Sequence, residues 1–144
     1  MRYENRKEKL LNNATPNIGR IYKQAEPSEK EERLINWLFK NIGGDITFLS
    51  EANQDGMKSP DLFWRGVKMD IKHTAGSLNT LQSHITNAMK QTDRGGVILD
   101  VSGSSIADEK IIDVTISRLV RTNTYTAYAI ILRDGELIAY INAE

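Results

Sequence analysis

The residues best suited to chemistry in this chain lie together in "SPDLFWRGVKMDIKHT", residues 59–74. Asp61 follows Pro60 where a polar loop ends, Asp70 stands within an apolar–polar alternation, and Lys72 comes two residues later. Strand side chains alternate between faces, so Asp70 and Lys72 share one, and a hairpin turning near Arg65 and Gly66 brings Asp61 back beside them. Two carboxylates held that close repel and keep their protons more tightly unless a cation lies between them. A hard divalent ion with oxygen ligands is the usual solution. Such an ion polarises a phosphodiester and acidifies a bound water, while a nearby lysine orients or deprotonates the attacking water and stabilises developing negative charge. The reaction these residue types imply is phosphodiester hydrolysis. The same spacing also suits plain turn chemistry at Pro60-Asp61 and a solvated strand face with a weak ion pair. Val67, Met69 and Ile71 form the apolar face, which leaves residues 68, 70 and 72 on the other, as on an exposed edge.

The rest of the chain must position these side chains. "PSEKEERLINWLFKNIGG" is a helix: Ser28 caps it, Glu31 completes a capping box, Leu34, Ile35, Leu38 and Ile42 form its apolar stripe, and Gly43 and Gly44 stop it. "DITFLSE" is a short strand, "EANQDGMKSP" a loop, and "DLFWRGVKMDIKHT" the hairpin. "SLNTLQSHITNAMKQ" places Leu78, Leu81, Ile85 and Ala88 at helical spacing, and "GGVILDVS" reads as a buried strand. A helix over about 107 to 121 turns Ile112, Ile116 and Leu119 inward, and "YTAYAIILRDGELIAYINAE" is a hairpin turning at Asp134 and Gly135. Residues 1–25, rich in Asn, Lys and Arg, read as a flexible basic arm with a short helix around Leu10 and little core; residues 26–144 read as a single domain. The order α, β, ββ, α, β, α, ββ defines an α/β class, a mixed sheet flanked by helices.

Composition bounds the function. At 144 residues, 40% hydrophobic and 26% charged, the chain has the material for one core. It contains no cysteine, which excludes a disulfide scaffold and any cysteine-based zinc site or nucleophile. The opening "MRYENRKEKLLNN" lacks the apolar centre of a signal peptide, and no apolar run is long enough to span a membrane. Formal net charge is zero, so no global basic field marks a nucleic-acid binder, and any such role must rest on a local patch.

"PDLFWRGVKMDIK" has the form P-D-x8-D-x-K and resembles the motif that names the PD-(D/E)xK nuclease superfamily. The resemblance implies a PD-(D/E)xK nuclease-like mixed β-sheet flanked by helices, with a core of α, β, ββ, α, β and the motif on the hairpin. Over about residues 28 to 103 the chain is similar to the C-terminal toxin nucleases of CdiA contact-dependent growth inhibition proteins, of the Burkholderia tRNase type. The activity implied is metal-dependent cleavage of tRNA in the cytoplasm of a neighbouring bacterium. The toxin would be exported as part of a larger protein and neutralised by a cognate immunity protein. The implied cofactor is a divalent metal, Mg2+ first, with Mn2+ or Zn2+ as other candidates. Asp61 and Asp70 then correspond to metal ligands and Lys72 to the catalytic lysine; Lys90, in "AMKQ" with Gln91 beside it, matches a lysine near the end of the following helix. A first-helix glutamate completes the ligand set. Glu31 and Glu32 are both candidates, and Glu32 is favoured because the capping box already accounts for Glu31.

Other polar residues have weaker claims. His73 adjoins Lys72 but points to the opposite face, whereas His84 shares a helix flank with Gln91; either histidine suits acid–base chemistry, though a lone histidine is more often packed or solvated. Thr74, Ser77 and Asn79 follow the motif, where hydroxyls and amides contact phosphates or simply make a turn. Asp100 sits in an apolar strand, where it could accept a hydrogen bond in the core or join the cluster; Trp37 reads as core, and Trp64 near the hairpin tip suits stacking on a base or a partner contact. Arg2, Arg6, Lys7, Lys9, Arg20 and Lys23 make the first segment basic, as a solvated tail or a phosphate-contacting one. Three other functions share these features: a metal-independent RNase of the barnase or colicin type, a DNA endonuclease of the same superfamily, and a non-enzymatic immunity or antitoxin module.

Overall fold

The computed structural model describes residues 2–50, 61–122 and 127–143. The chain runs β1 (Tyr3–Asn5), α1 (Lys7–Asn12), β2 (Ile21–Lys23), α2 (Glu29–Asn41), β3 (Ile46–Phe48), β4 (Leu62–Trp64), β5 (Val67–His73), α3 (Leu78–Gln91), β6 (Gly96–Asp100), α4 (Asp108–Arg121), β7 (Tyr128–Arg133) and β8 (Glu136–Ala143). One eight-stranded mixed sheet has the order β1-β8-β7-β6-β5-β4-β3-β2. At its centre β5, β6 and β7 are parallel, joined by the crossover helices α3 and α4; antiparallel hairpins lie to either side.

Helices cover both faces. Leu34, Ile35, Leu38 and Ile42 of α2, with Leu10 of α1, pack on Leu62, Trp64, Met69 and Ile98 on one side. Leu81, Ile85 and Ala88 of α3 and Ile111 and Leu119 of α4 pack on Val97, Leu99, Ala129 and Ile131 on the other. The alternation of β6 and β7 explains this. Strands buried on both faces read as continuous apolar runs, and "GVILD" and "YAIILR" are such runs.

Local signals place the elements that frame the hairpin. The Ser28 side chain accepts from the Glu31 N–H and the Glu31 side chain from the Ser28 N–H, as the capping box predicts. Arg65 and Gly66 (φ +51° and +80°), and likewise Asp134 and Gly135 (φ +51° and +79°), form the left-handed pairs that tight hairpins use. Trp64 Nε1 donates to Gly43 O at 2.9 Å and an Arg65 guanidinium nitrogen donates to Ile42 O at 3.0 Å, tying the hairpin tip to the end of α2.

Four expectations need correction, and one lies outside view. The segment expected as a loose arm instead supplies both sheet edges, with β1 pairing to β8 and β2 to β3, and it buries Leu10 in the core. Its polar composition hid three-residue strands whose ordering comes from backbone pairing, not from apolar periodicity. Helix α4 is rotated by one residue from the expected stripe: Ile111, Val114, Thr115 and Leu119 are buried, while Ile112 and Ile116 pack at the margin. Trp64 is buried, so it has no exposed ring for a base or partner. Strand β5 is interior, not an exposed edge, and α3 covers the face that carries Asp70. The loop read in residues 51–60, Pro60 included, lies outside the described residues.

Candidate active site

Asp61 is fixed where β4 begins. Its N–H donates to Met69 O at 3.0 Å, its carbonyl accepts from Leu49 N–H at 2.9 Å, and its Oδ2 accepts from Ile71 N–H at 2.7 Å. These bonds hold the carboxyl group against β5, close enough to Asp70 for that carboxyl to perturb it. Asp70 is only 2% exposed. Lys72 Nζ donates to Asp70 Oδ2 at 2.9 Å from the same face of the strand, as the period of two requires.

Helix α3 adds two residues. The Gln91 amide lies against both oxygens of Asp70. Only the orientation with its nitrogen donating, at 2.9 Å to Oδ1 and 2.8 Å to Oδ2, avoids setting a carbonyl oxygen against a carboxylate. One helical face earlier, His84 Nδ1 is 2.6 Å from Thr74 Oγ1, and Thr74 is buried.

The electrostatics follow from this packing. Burial, and then the hydrogen bond with Asp70, raises Asp61 to about 8; the Ile71 N–H pulls the other way, and the charges of Asp70 and Glu31 add to the rise. Asp61 therefore holds its proton far more tightly than an ordinary carboxyl group does. Burial and then the Lys72 charge lower the His84 pKa from its ordinary value, with Asp70 partly opposing.

The structure thus brings Asp61, Asp70 and Lys72 together, and it does not bring Glu32 or Lys90 to them. The Glu32 carboxylate pairs with Lys23 Nζ at 2.7 Å, toward β2, and Glu31 is the helix carboxylate whose charge reaches Asp61. A capping residue can serve twice, which elimination by the cap overlooked. Lys90 is exposed on another flank of α3, because one residue on a helix is a rotation of about 100°. Gln91, its neighbour, occupies the place expected of Lys90. The sequence did carry that signal, since His84 and Gln91 stand seven residues apart and share a flank.

Among the described residues no group of three or more His, Asp or Glu side chains is gathered to hold a metal. The donor set is instead the two carboxyl groups of Asp61 and Asp70. That set fits a magnesium-like ion, which keeps several waters and takes one or two protein carboxylates.

On the opposite face His73 Nδ1 is 3.3 Å from Asp100 Oδ2, and Ser102 Oγ donates to Asp100 Oδ1. Against the cost of burial, the Ser102 hydroxyl and N–H, with His73, hold Asp100 below the usual carboxylate range. These residues line a cavity of about 490 Å³ with Lys30, Arg33 and Trp37. His73 faces away from Lys72, as the strand alternation predicts. Ser77 is the N-cap of α3 and Asn79 an exposed residue within it, so neither lies in a free loop.

No family pattern matches the chain and no curated protein is similar to it. A solved structure titled "CdiA-CT/CdiI toxin and immunity complex from Burkholderia pseudomallei" is similar to it at 16% identity, over 83% of this chain and 91% of that one, with a TM-score of 0.48. A likeness of that degree assigns the chain neither to the toxin nor to the immunity protein. No helix among the described residues is long and apolar enough to cross a membrane.

Proposed function

We propose that the chain is a metal-dependent endonuclease with a PD-(D/E)xK-type site at Asp61, Asp70 and Lys72, acting on RNA as a toxin. The observation that carries this reading is the close carboxyl pair, Asp61 beside Asp70, held buried next to the Lys72 ammonium. A purely structural ion pair needs no second carboxyl at that cost, whereas a cation site does. Asp61 and Asp70 would hold the metal, which when bound supplies Lewis-acid polarisation of the phosphodiester and acidification of water. Lys72 keeps a positive charge at the site and is placed to stabilise charge developing on the phosphate. Gln91 fixes the Asp70 carboxylate by donating to it, and Ile71 N–H does the same for Asp61. tRNA as substrate, action in a neighbouring bacterium and neutralisation by a cognate immunity protein rest on the resemblance of "PDLFWRG" and the segment from Met69 to Ser102 to CdiA toxins.

One observation favours a second reading. His84, 2.6 Å from Thr74 Oγ1 and with its pKa lowered by burial and Lys72, has the makings of a general base for a metal-independent RNase. The test is to incubate the protein with total tRNA and with plasmid DNA, each with magnesium, manganese, zinc or EDTA. Cleavage of RNA that EDTA abolishes supports the proposal. EDTA-resistant cleavage lost in His84→Ala favours the second reading, and no cleavage under any condition, with a stable toxin complex instead, assigns an immunity module.

A further inference from the structure

Helix α3 contains no Asp or Glu in its 14 residues, in a chain where acids and bases are equal in number. Its outer face is neutral and hydrogen-bonding: Asn79, Ser83 and Asn87 are exposed along it, and they line a shallow groove with Gln82, Thr86 and Arg118. One flank of the helix carries His84 and Gln91 to the carboxyl pair. The other, with Thr86, Met89 and Lys90, borders a cavity of about 500 Å³ that Arg94, Arg118 and Arg121 also line, with Asp93 as the one carboxylate among the described lining residues.

The ends of α3 and α4 meet at this cavity. Cations in a helix's last turn complement its dipole, which gives Lys90, Arg118 and Arg121 a local role. That role does not require them to share one cavity, where their like charges repel. The loop behind them adds an independent observation. Asp93 and Arg94 both have left-handed backbone (φ +51° and +64°), while the two glycines that follow do not. Those glycines are used for close packing, since a Cβ on Gly95 would meet Lys68 O and one on Gly96 would meet Met69 and Tyr128. Side chains are thus kept at the two positions whose backbone would favour glycine, and the Arg94 side chain is one of them.

We infer that the phosphate backbone of a nucleic acid lies across α3, running from the Asp61–Asp70 site over the acid-free outer face to the basic cavity formed by Lys90, Arg94, Arg118 and Arg121. The inference rests on the nuclease reading and extends it to how the substrate is held. It also answers how a chain of zero net charge binds a polyanion: by concentrating cations locally, beside a helix that carries no acid. Amides and hydroxyls on that path suit sugar and phosphate oxygens.

The test compares the protein with a Lys90→Gln, Arg121→Gln double variant, both positions being exposed. Binding of total tRNA and of a DNA duplex is measured in EDTA across about 50 to 200 mM salt. The variant is expected to bind roughly tenfold more weakly at the low-salt end, with a salt slope shallower by about 1.5, the loss of two phosphate contacts. The arm that binds more tightly identifies RNA or DNA as the source of the phosphates. Equal affinity and slope in variant and parent overturn the inference, as does a parent that binds neither nucleic acid but does bind an acidic protein through this surface. Cleavage with magnesium is scored separately. Cleavage with unchanged binding in the variant removes the docking surface alone; weakened binding without cleavage removes the nuclease chemistry alone.

Discussion

The Lys72 ammonium donates to Asp70 at 2.9 Å in a site where Asp70 is almost wholly buried and the Asp61 carboxyl group, held by the Ile71 N–H, lies beside it. Burial and the neighbouring Asp70 hold the Asp61 proton well above the ordinary carboxylate range. Stability, metal binding and activity should therefore all depend on the state of this proton.

Stability should fall as pH rises. The folded-state pKa of Asp61 is raised, to about 8 from an ordinary 3.8, so the folded protein binds more protons than the unfolded chain between those values. The stabilising contribution is fully present below the unfolded value and is lost as pH climbs through the folded one. Thermal melting without metal should show a Tm that declines across that window and levels off above it. Asp61→Asn keeps a neutral, hydrogen-bonding group, so its Tm should be flatter and should exceed that of the parent at alkaline pH. A Tm that rises over the same window for the parent contradicts the assignment.

The two helix glutamates should separate cleanly. Glu31→Gln retains a capping-box side chain but removes a charge that acts on Asp61, so the Asp61 titration should move to lower pH. Glu32→Gln breaks an ion pair with Lys23 that is about one-third exposed on both sides, and its cost should stay within about 1 kcal/mol in urea denaturation, with turnover unchanged. Loss of turnover in Glu32→Gln alone would restore it to the site.

Gln91 and Lys90 are adjacent in sequence and should behave differently. Gln91→Ala leaves Asp70 without its amide donor and should lower kcat, whereas Lys90→Ala should act on KM alone, through substrate docking. Steady-state kinetics on tRNA distinguishes the two, and a fall in kcat for Lys90→Ala would place that lysine back at the reaction.

Removing either charge of the central pair should abolish chemistry without unfolding the protein. Asp70→Asn preserves shape and should lose about a hundredfold or more in turnover, with unchanged circular dichroism. Lys72→Arg should not rescue Lys72→Met, because a planar guanidinium cannot take the position of a compact ammonium in so enclosed a site.

Much of this arrangement was legible in the sequence because it depends on local rules. Strand alternation put Asp70 and Lys72 on one face, Arg65-Gly66 set the turn, and Ser28 with Glu31 set the start of α2. What was not legible depends on tertiary pairing. The edge strands β1 and β2 have no apolar pattern of their own and are defined by β8 and β3, and the burial of Asp70 follows from β5 being interior and covered by α3. Gln91 in place of Lys90 is a matter of one residue on a helix, decided by which flank of α3 meets β5.

The most direct measurement is the titration of the Asp61 carboxyl group by NMR, with and without magnesium. Without metal the midpoint is predicted near 8, and saturating magnesium should drive it far toward the acid side, with release of about one proton per ion bound at neutral pH. A midpoint in the ordinary carboxylate range, unmoved by magnesium, would contradict the claim that this pair is a metal site.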